Sequence, residues 1–103
     1  MTQRQMKVAE ELRHHAAMAL LGGRLMSTLD LTRVTLVDVW VSSDLRLCRL
    51  YTEVPEEWDV EETMKTLNAE LVAPMRKYLA QYLATKFIPA PTFWRATAAD
   101  DRF

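Results

Sequence analysis

The stretch Val37-Asp38-Val39-Trp40-Val41-Ser42-Ser43-Asp44-Leu45-Arg46-Leu47-Cys48-Arg49-Leu50-Tyr51-Thr52 holds two alternating runs around a cluster of turn formers. Successive side chains of a strand point to opposite faces. In the first run, Thr32 to Val41, residues Thr35, Val37, Val39 and Val41 share one face. Val34, Leu36, Asp38 and Trp40 share the other. In the second run, Arg46 to Val54, Cys48, Leu50, Thr52 and Val54 alternate with Leu47, Arg49, Tyr51 and Glu53. Ser42-Ser43-Asp44-Leu45 between them supplies the turn chemistry of a β-hairpin.

Upstream, Leu12, Ala16, Ala19 and Leu20 recur at helical spacing, with Val8 and Ala9 extending the stripe, so a helix is predicted over Gln3 to Leu21. Gly22-Gly23 stops it, because glycine adopts the left-handed conformation that closes a helix C-terminus. Downstream, Asp59 and Glu62 make a capping box ahead of the stripe Val60, Met64, Leu67 and Leu71. Pro74 removes a helical hydrogen bond and biases Ala73 away from helical angles, yet the period resumes in Met75, Leu79 and Leu83. Two helices meeting at a break near Ala73-Pro74 are therefore expected, with Pro74 opening the second. Pro89 and Pro91 fence off a last strand, Thr92 to Ala96. The expected order is α-β-β-α-α-β, an α+β fold with helices packed on one face of a three-stranded sheet.

A chain of 103 residues, half of them apolar, suffices for one domain, 1–103, with a core that needs no disulfide or metal. A single cysteine, Cys48, fits a reducing compartment. No apolar run is long enough to span a bilayer. The polar segment Met1 to Lys7 lacks the apolar core of a signal peptide, so the cytoplasm is the expected location, with an organelle matrix left open.

The formal net charge of −1 is unlike that of a typical RNA-binding domain, but its distribution is uneven. Glu53, Glu56, Glu57, Asp59, Glu61 and Glu62 fall within ten residues that hold no cation. From Thr63 to Arg95, five cations (Lys65, Arg76, Lys77, Lys86, Arg95) face one acid, Glu70. A bipolar molecule with a local basic field and a surface of scattered charges are both consistent with this pattern.

The hairpin stretch resembles the signature of the ribosome-binding factor A family, a short apolar strand followed by Ser-x-Asp-Leu, a small residue, a cation, an aliphatic and Tyr. Lys7-Val8-Ala9-Glu10 resembles the family's first helix, and Ile88-Pro89-Ala90-Pro91-Thr92-Phe93 its entry to the last strand. The resemblance covers roughly Gln3 to Trp94. It implies a KH-type (type II-like) domain and a non-catalytic factor that binds the small (30S) ribosomal subunit, through 16S rRNA, late in maturation. It further implies support of rRNA 5′-end processing and of growth in the cold, without a cofactor, metal, small-molecule ligand or membrane, and as a monomer. Where the family carries Ala-x-Gly at its helix break, this chain has Leu71-Val72-Ala73, and Pro74 supplies the break instead.

Ordinary KH domains clamp phosphates with a Gly-rich loop, which this chain lacks, so binding by shape and charge is expected. The rRNA-binding candidates are Arg4, Lys7, Arg46, Arg76, Lys77 and Lys86, with Arg33 a weaker one. A helix opening at Pro74 would present the free N–H groups of Met75, Arg76 and Lys77 to a phosphate. Arg4 and Lys7 lie one turn apart on the first helix. Trp40, Tyr51 and Trp94 could form a stacking platform for bases, although strand aromatics more often serve sheet packing. A second reading has the acidic segment Glu53 to Glu62 engage a basic protein. A third, an acid–base enzyme, needs a pocket joining His14 or His15 to a carboxylate. Adjacent histidines diverge by about 100° on a helix and do not chelate together, and Cys48, on the apolar side of its strand, is expected in the core rather than paired with His14 as a nucleophile.

Overall fold

The computed structural model describes residues 1–83 and 88–96. Its elements are α1 (Gln3–Leu21), a short 3-10 turn (Leu31–Arg33), β1 (Thr35–Val41), β2 (Leu47–Glu53), α2 (Val60–Leu79) and β3 (Ala90–Arg95). The sheet order is β1-β2-β3, with β1 and β2 antiparallel and β2 and β3 parallel. The helices share one face of this sheet, α1 against β1 and α2 against β3. The α+β fold expected from the sequence is the fold observed.

α1 begins with a reciprocal cap. Thr2 accepts from the Gln5 amide, and the Gln5 side chain accepts from the Thr2 amide at 2.8 Å. Its buried stripe is Val8, Ala9, Leu12, Ala16, Ala19 and Leu20, and the alanines let the backbone approach the sheet closely. The left-handed residue that closes the helix is Gly23, at φ 68°, rather than Gly22. At Gly22 a Cβ would stand 2.9 Å from the Met18 carbonyl oxygen, so both glycines are needed for separate reasons.

Two strand details differ from expectation. Asp30 accepts from the Thr32 amide and hydroxyl, which winds Leu31–Arg33 into a turn and delays β1 to Thr35. The register of β1 against β2 then slips between Leu36 and Asp38, leaving Val37 as the extra residue of a bulge. Strict alternation assigns Leu36 to the face of Asp38 and Trp40. The bulge instead sets it opposite Thr52, on the core side, and Leu36 packs against the core. In the hairpin turn Leu45 takes φ 61°, an unfavourable angle for a leucine, while its side chain is buried.

The break expected near Ala73-Pro74 does not occur. α2 is one helix of 20 residues with Pro74 inside it. The reason lies in the core. Leu67, Leu71, Met75 and Leu79 form a stripe at steps of four that runs through the proline, and each is fully buried. An interior proline costs about 3 kcal/mol. Burying Met75 and Leu79 returns roughly 1.5–3 kcal/mol each, which offsets that cost and keeps the helix continuous. The order among the described residues is thus α-β-β-α-β. The last strand also starts earlier than Thr92, because β3 is an edge strand and can hold Pro91, whose missing N–H removes no essential ladder bond.

Candidate nucleic-acid interface

The proposed cations belong to segments far apart in sequence, and the fold brings four of them to the hairpin end of the sheet. Arg4 and Lys7 are exposed on either side of Gln5 in the first turns of α1. Gln5 is buried, and its Nε2 donates to the Val41 carbonyl at 2.9 Å, fixing those turns beside the end of β1. Arg46 follows in the hairpin turn, and its carbonyl accepts from the Ala90 amide at 2.8 Å, tying the turn to the start of β3. Arg76 reaches the same place from α2, where its Nη2 lies 3.4 Å from the Ile88 carbonyl oxygen.

The hairpin turn is built to stay put. Asp44 accepts from the Ser42 hydroxyl at 2.7 Å and from the Arg46 amide at 3.1 Å. These bonds hold the Asp44 carboxyl below its ordinary range, the Ser42 bond foremost.

The helix-opening phosphate site expected at Pro74 is absent. Because α2 is continuous, the amides of Met75, Arg76 and Lys77 lie in the helix interior rather than at a free N-terminus. Arg76 and Lys77 occupy the last turn, where cations complement the negative end of the helix dipole. Both side chains remain exposed. Lys77 helps line a shallow pocket of about 200 Å³ with Arg24, Leu25, Pro74, Tyr78 and Gln81. Arg24 joins the cationic set here. Nothing in its sequence context marks it, because only the Gly22-Gly23 turn returns it to the flank of α2. Beside this pocket His15 stacks on Tyr82 with ring centroids 4.5 Å apart. Lys86 lies outside the described residues.

The acidic segment sits at the other pole. β2 ends at Glu53, Asp59 caps α2 by accepting from the Glu62 amide, and Glu61 and Glu62 lie in the first turn. Glu57 pairs with Arg33, whose guanidinium also lies 5.5 Å from the Trp58 ring centroid. Arg33 is thereby engaged within the acidic pole and does not join the other cations. The side-chain charges oppose the α2 dipole and are stabilised by it, acids at its positive N-terminus and bases at its negative C-terminus.

Cys48 is in the core, and burial pushes its thiol up to about 12. That leaves no thiolate at neutral pH, so a Cys48–His14 couple has no nucleophile. His14 does share a groove of about 390 Å³ with Glu10 and Arg13. These are neighbouring exposed positions of one helix, and among the described residues no hydrogen bond joins the histidine to the carboxylate. The groove is an open strip of α1 surface bordered by Leu36 of β1, and among the described residues no third group orients the histidine. Trp40 and Trp94 stand on the open face of the sheet with Arg49 between them.

No family model matches the sequence, and no curated protein matches it. Solved structures do. A solution structure of a putative ribosome binding factor A from Thermotoga maritima is 25% identical, with a TM-score of 0.73 over 93% of this chain and 90% of that one. The crystal structure of ribosome-binding factor A from Thermus thermophilus is 17% identical, with a TM-score of 0.69 over 88% of this chain and 94% of that one. A homology model of the Thermus thermophilus protein, fitted into a cryo-EM map of its complex with the 30S subunit, is 19% identical at a TM-score of 0.64, covering 87% and 92%.

Proposed function

We propose that this chain, which has the ribosome-binding factor A fold, is a ribosome-binding factor that docks on the small subunit with its hairpin end toward 16S rRNA. The carrying observation is the gathering of Arg4, Lys7, Arg46 and Arg76 at one end by the Gln5–Val41, Ala90–Arg46 and Arg76–Ile88 contacts. The likeness to a ribosome-binding factor A fitted in a 30S complex supports the small subunit as the partner. Lys77 and Arg24 extend the contact along α2, and Lys86, outside the described residues, is carried as a further rRNA contact on its charge alone. Each phosphate neutralised by a cation releases counterions, so affinity falls with salt in proportion to the number of contacts.

In this reading the protein acts late in maturation, as a monomer in the cytoplasm, and supports processing of the rRNA 5′ end and growth in the cold. It performs no chemistry. The acidic segment has tasks inside the fold, Asp59 as a helix cap and Glu57 as the partner of Arg33, which weighs against its being the main docking surface.

The test is co-sedimentation of the protein with free small subunits, 70S particles and an unrelated structured RNA, from low to physiological salt. Retention on small subunits alone at physiological salt supports the reading. A variant carrying Arg4→Glu, Lys7→Glu and Arg76→Glu should lose that retention and show a shallower salt dependence. Unchanged binding by the variant would point to a protein partner and the acidic pole, and binding to every RNA that disappears with salt would reduce the site to a generic basic patch.

A further inference from the structure

The face of the sheet opposite the helices carries a structure that the hairpin-end cations do not account for. Trp40 on β1 stands directly across from Arg49 on β2, and Trp94 on β3 lies beside Tyr51 on the same face. The Arg49 guanidinium carbon is 5.1 Å from the Trp40 ring centroid and 4.5 Å from that of Trp94. One cation therefore ties two indoles from opposite edges of the sheet into a single stack. Trp94 is fixed further, since its Nε1 donates to the Thr92 hydroxyl at 2.8 Å, and that hydroxyl donates to the Cys48 carbonyl.

Despite this anchoring Trp94 is 44% exposed, and Leu47 on the same face is 56% exposed. Tyr51, by contrast, is almost fully covered and does the packing. The two indoles are thus held in place while Trp94 stays open to solvent, an arrangement that spares a planar ligand the entropic cost of ordering them. Indole faces take flat π systems, and a guanidinium takes an anion. A nucleobase joined to its phosphate offers both. Asp38 and Glu53 occupy the far end of this face, whereas Arg46 lies at the hairpin end, so charge favours phosphates running toward the hairpin.

We propose that the open sheet face binds single-stranded RNA, with bases stacked on Trp94 and Trp40 and a phosphate held at Arg49. The inference rests on the RNA-binding reading for the class of its ligand and adds a second surface to it. Paired bases keep their faces inside the duplex, so the stack selects unpaired nucleotides.

The full-length chain carrying Trp58→Phe, in which only Trp40 and Trp94 report, is titrated with a short oligoadenylate and with an RNA duplex of equal length while tryptophan emission is followed. The single strand should quench emission and the duplex should not. Trp94→Leu in this background should weaken oligoadenylate binding roughly 5- to 150-fold, the range of a lost base–aromatic stack. Trp94→Phe should recover part of that loss, which separates stacking from a folding defect, and the melting temperature of each variant is recorded alongside. Equal affinity in Trp94→Leu, or equal quenching by the duplex, overturns the proposal. Small-subunit co-sedimentation of the same variants keeps the two readings apart. Oligoadenylate binding indifferent to Trp94 with subunit retention intact refutes the stacking face alone, whereas Trp94-dependent quenching without subunit retention refutes the subunit reading alone.

Discussion

Replacing Pro74 with alanine perturbs the one place where local sequence and tertiary packing disagree. In a continuous α2, alanine restores an amide that donates to the Glu70 carbonyl and removes the ring from that carbonyl's path, a gain of about 3 kcal/mol. Two terms oppose it. Proline restricts the unfolded chain, and losing that restriction costs roughly 0.4–1 kcal/mol. The ring is half-buried beside Leu25 and Tyr78, and two partly buried methylenes are worth about 0.8 kcal/mol in all. The net expectation is a stabilisation of about 1.5 kcal/mol, which raises the melting temperature of a domain this size by about 6–12 °C. Urea denaturation gives the free energy, and calorimetry the temperature. Amide exchange should show a newly protected amide at the substituted position and stronger protection at Met75 and Arg76. If Pro74→Ala instead lowers the urea midpoint, Pro74 maintains a bend that the packing of Met75 and Leu79 needs, and a proline tolerated only through the buried stripe is refuted.

Other outcomes follow from single contacts. Burial raises the Cys48 pKa to about 12 from 9.0, so the folded state holds a proton that the unfolded state releases as pH rises. The associated stability is complete below about pH 9 and is lost progressively toward pH 12, which alkaline urea titrations of the wild type and Cys48→Ala will separate. The Cys48 thiol should also resist an aromatic disulfide reagent at about pH 8 until the chain unfolds. Glu70 accepts from the Ser27 hydroxyl, the Thr28 amide and the Thr28 hydroxyl, and these bonds hold its carboxyl below the ordinary range. Its stabilising effect is therefore present above its unfolded-state pKa and fades as pH falls below it. Glu70→Ala should speed exchange of the Thr28 amide while leaving global unfolding nearly unchanged. Leu67→Ala, at a fully buried position under the sheet, should cost roughly 2–5 kcal/mol by denaturant titration.

The bounds of α1, the hairpin turn and the start of α2 were legible in the chain because local rules govern them. Thr2 and Asp59 cap within three residues, Gly22-Gly23 closes its helix, and Ser42 to Asp44 make their own turn bonds. Of the candidate site, the sequence marked Arg4, Lys7, Arg46, Arg76 and Lys77 as cations available for phosphate, yet it offered no reason for them to share a surface. Arg24 was not legible at all, and Arg33 was misleading, because its pairing with Glu57 joins residues 24 apart in the chain.

Sequence alone thus determined the α+β class, the hairpin and the identity of the charged and aromatic side chains, all properties of neighbours along the chain. Tertiary structure alone decided whether Pro74 ends a helix, since the outcome turns on Met75 and Leu79 finding a core beyond the proline. It also decided that Val37 bulges, moving Leu36 to the core face, because register is settled between strands and not within one. The same holds for the two surfaces on which the functional readings rest. The basic end exists because Gln5 reaches Val41 and Ala90 reaches Arg46, and the Trp40–Arg49–Trp94 stack exists because a parallel third strand brings Trp94 beside Arg49. Contacts between residues so far apart in sequence form only when burial has fixed the layers, and no local pattern encodes them.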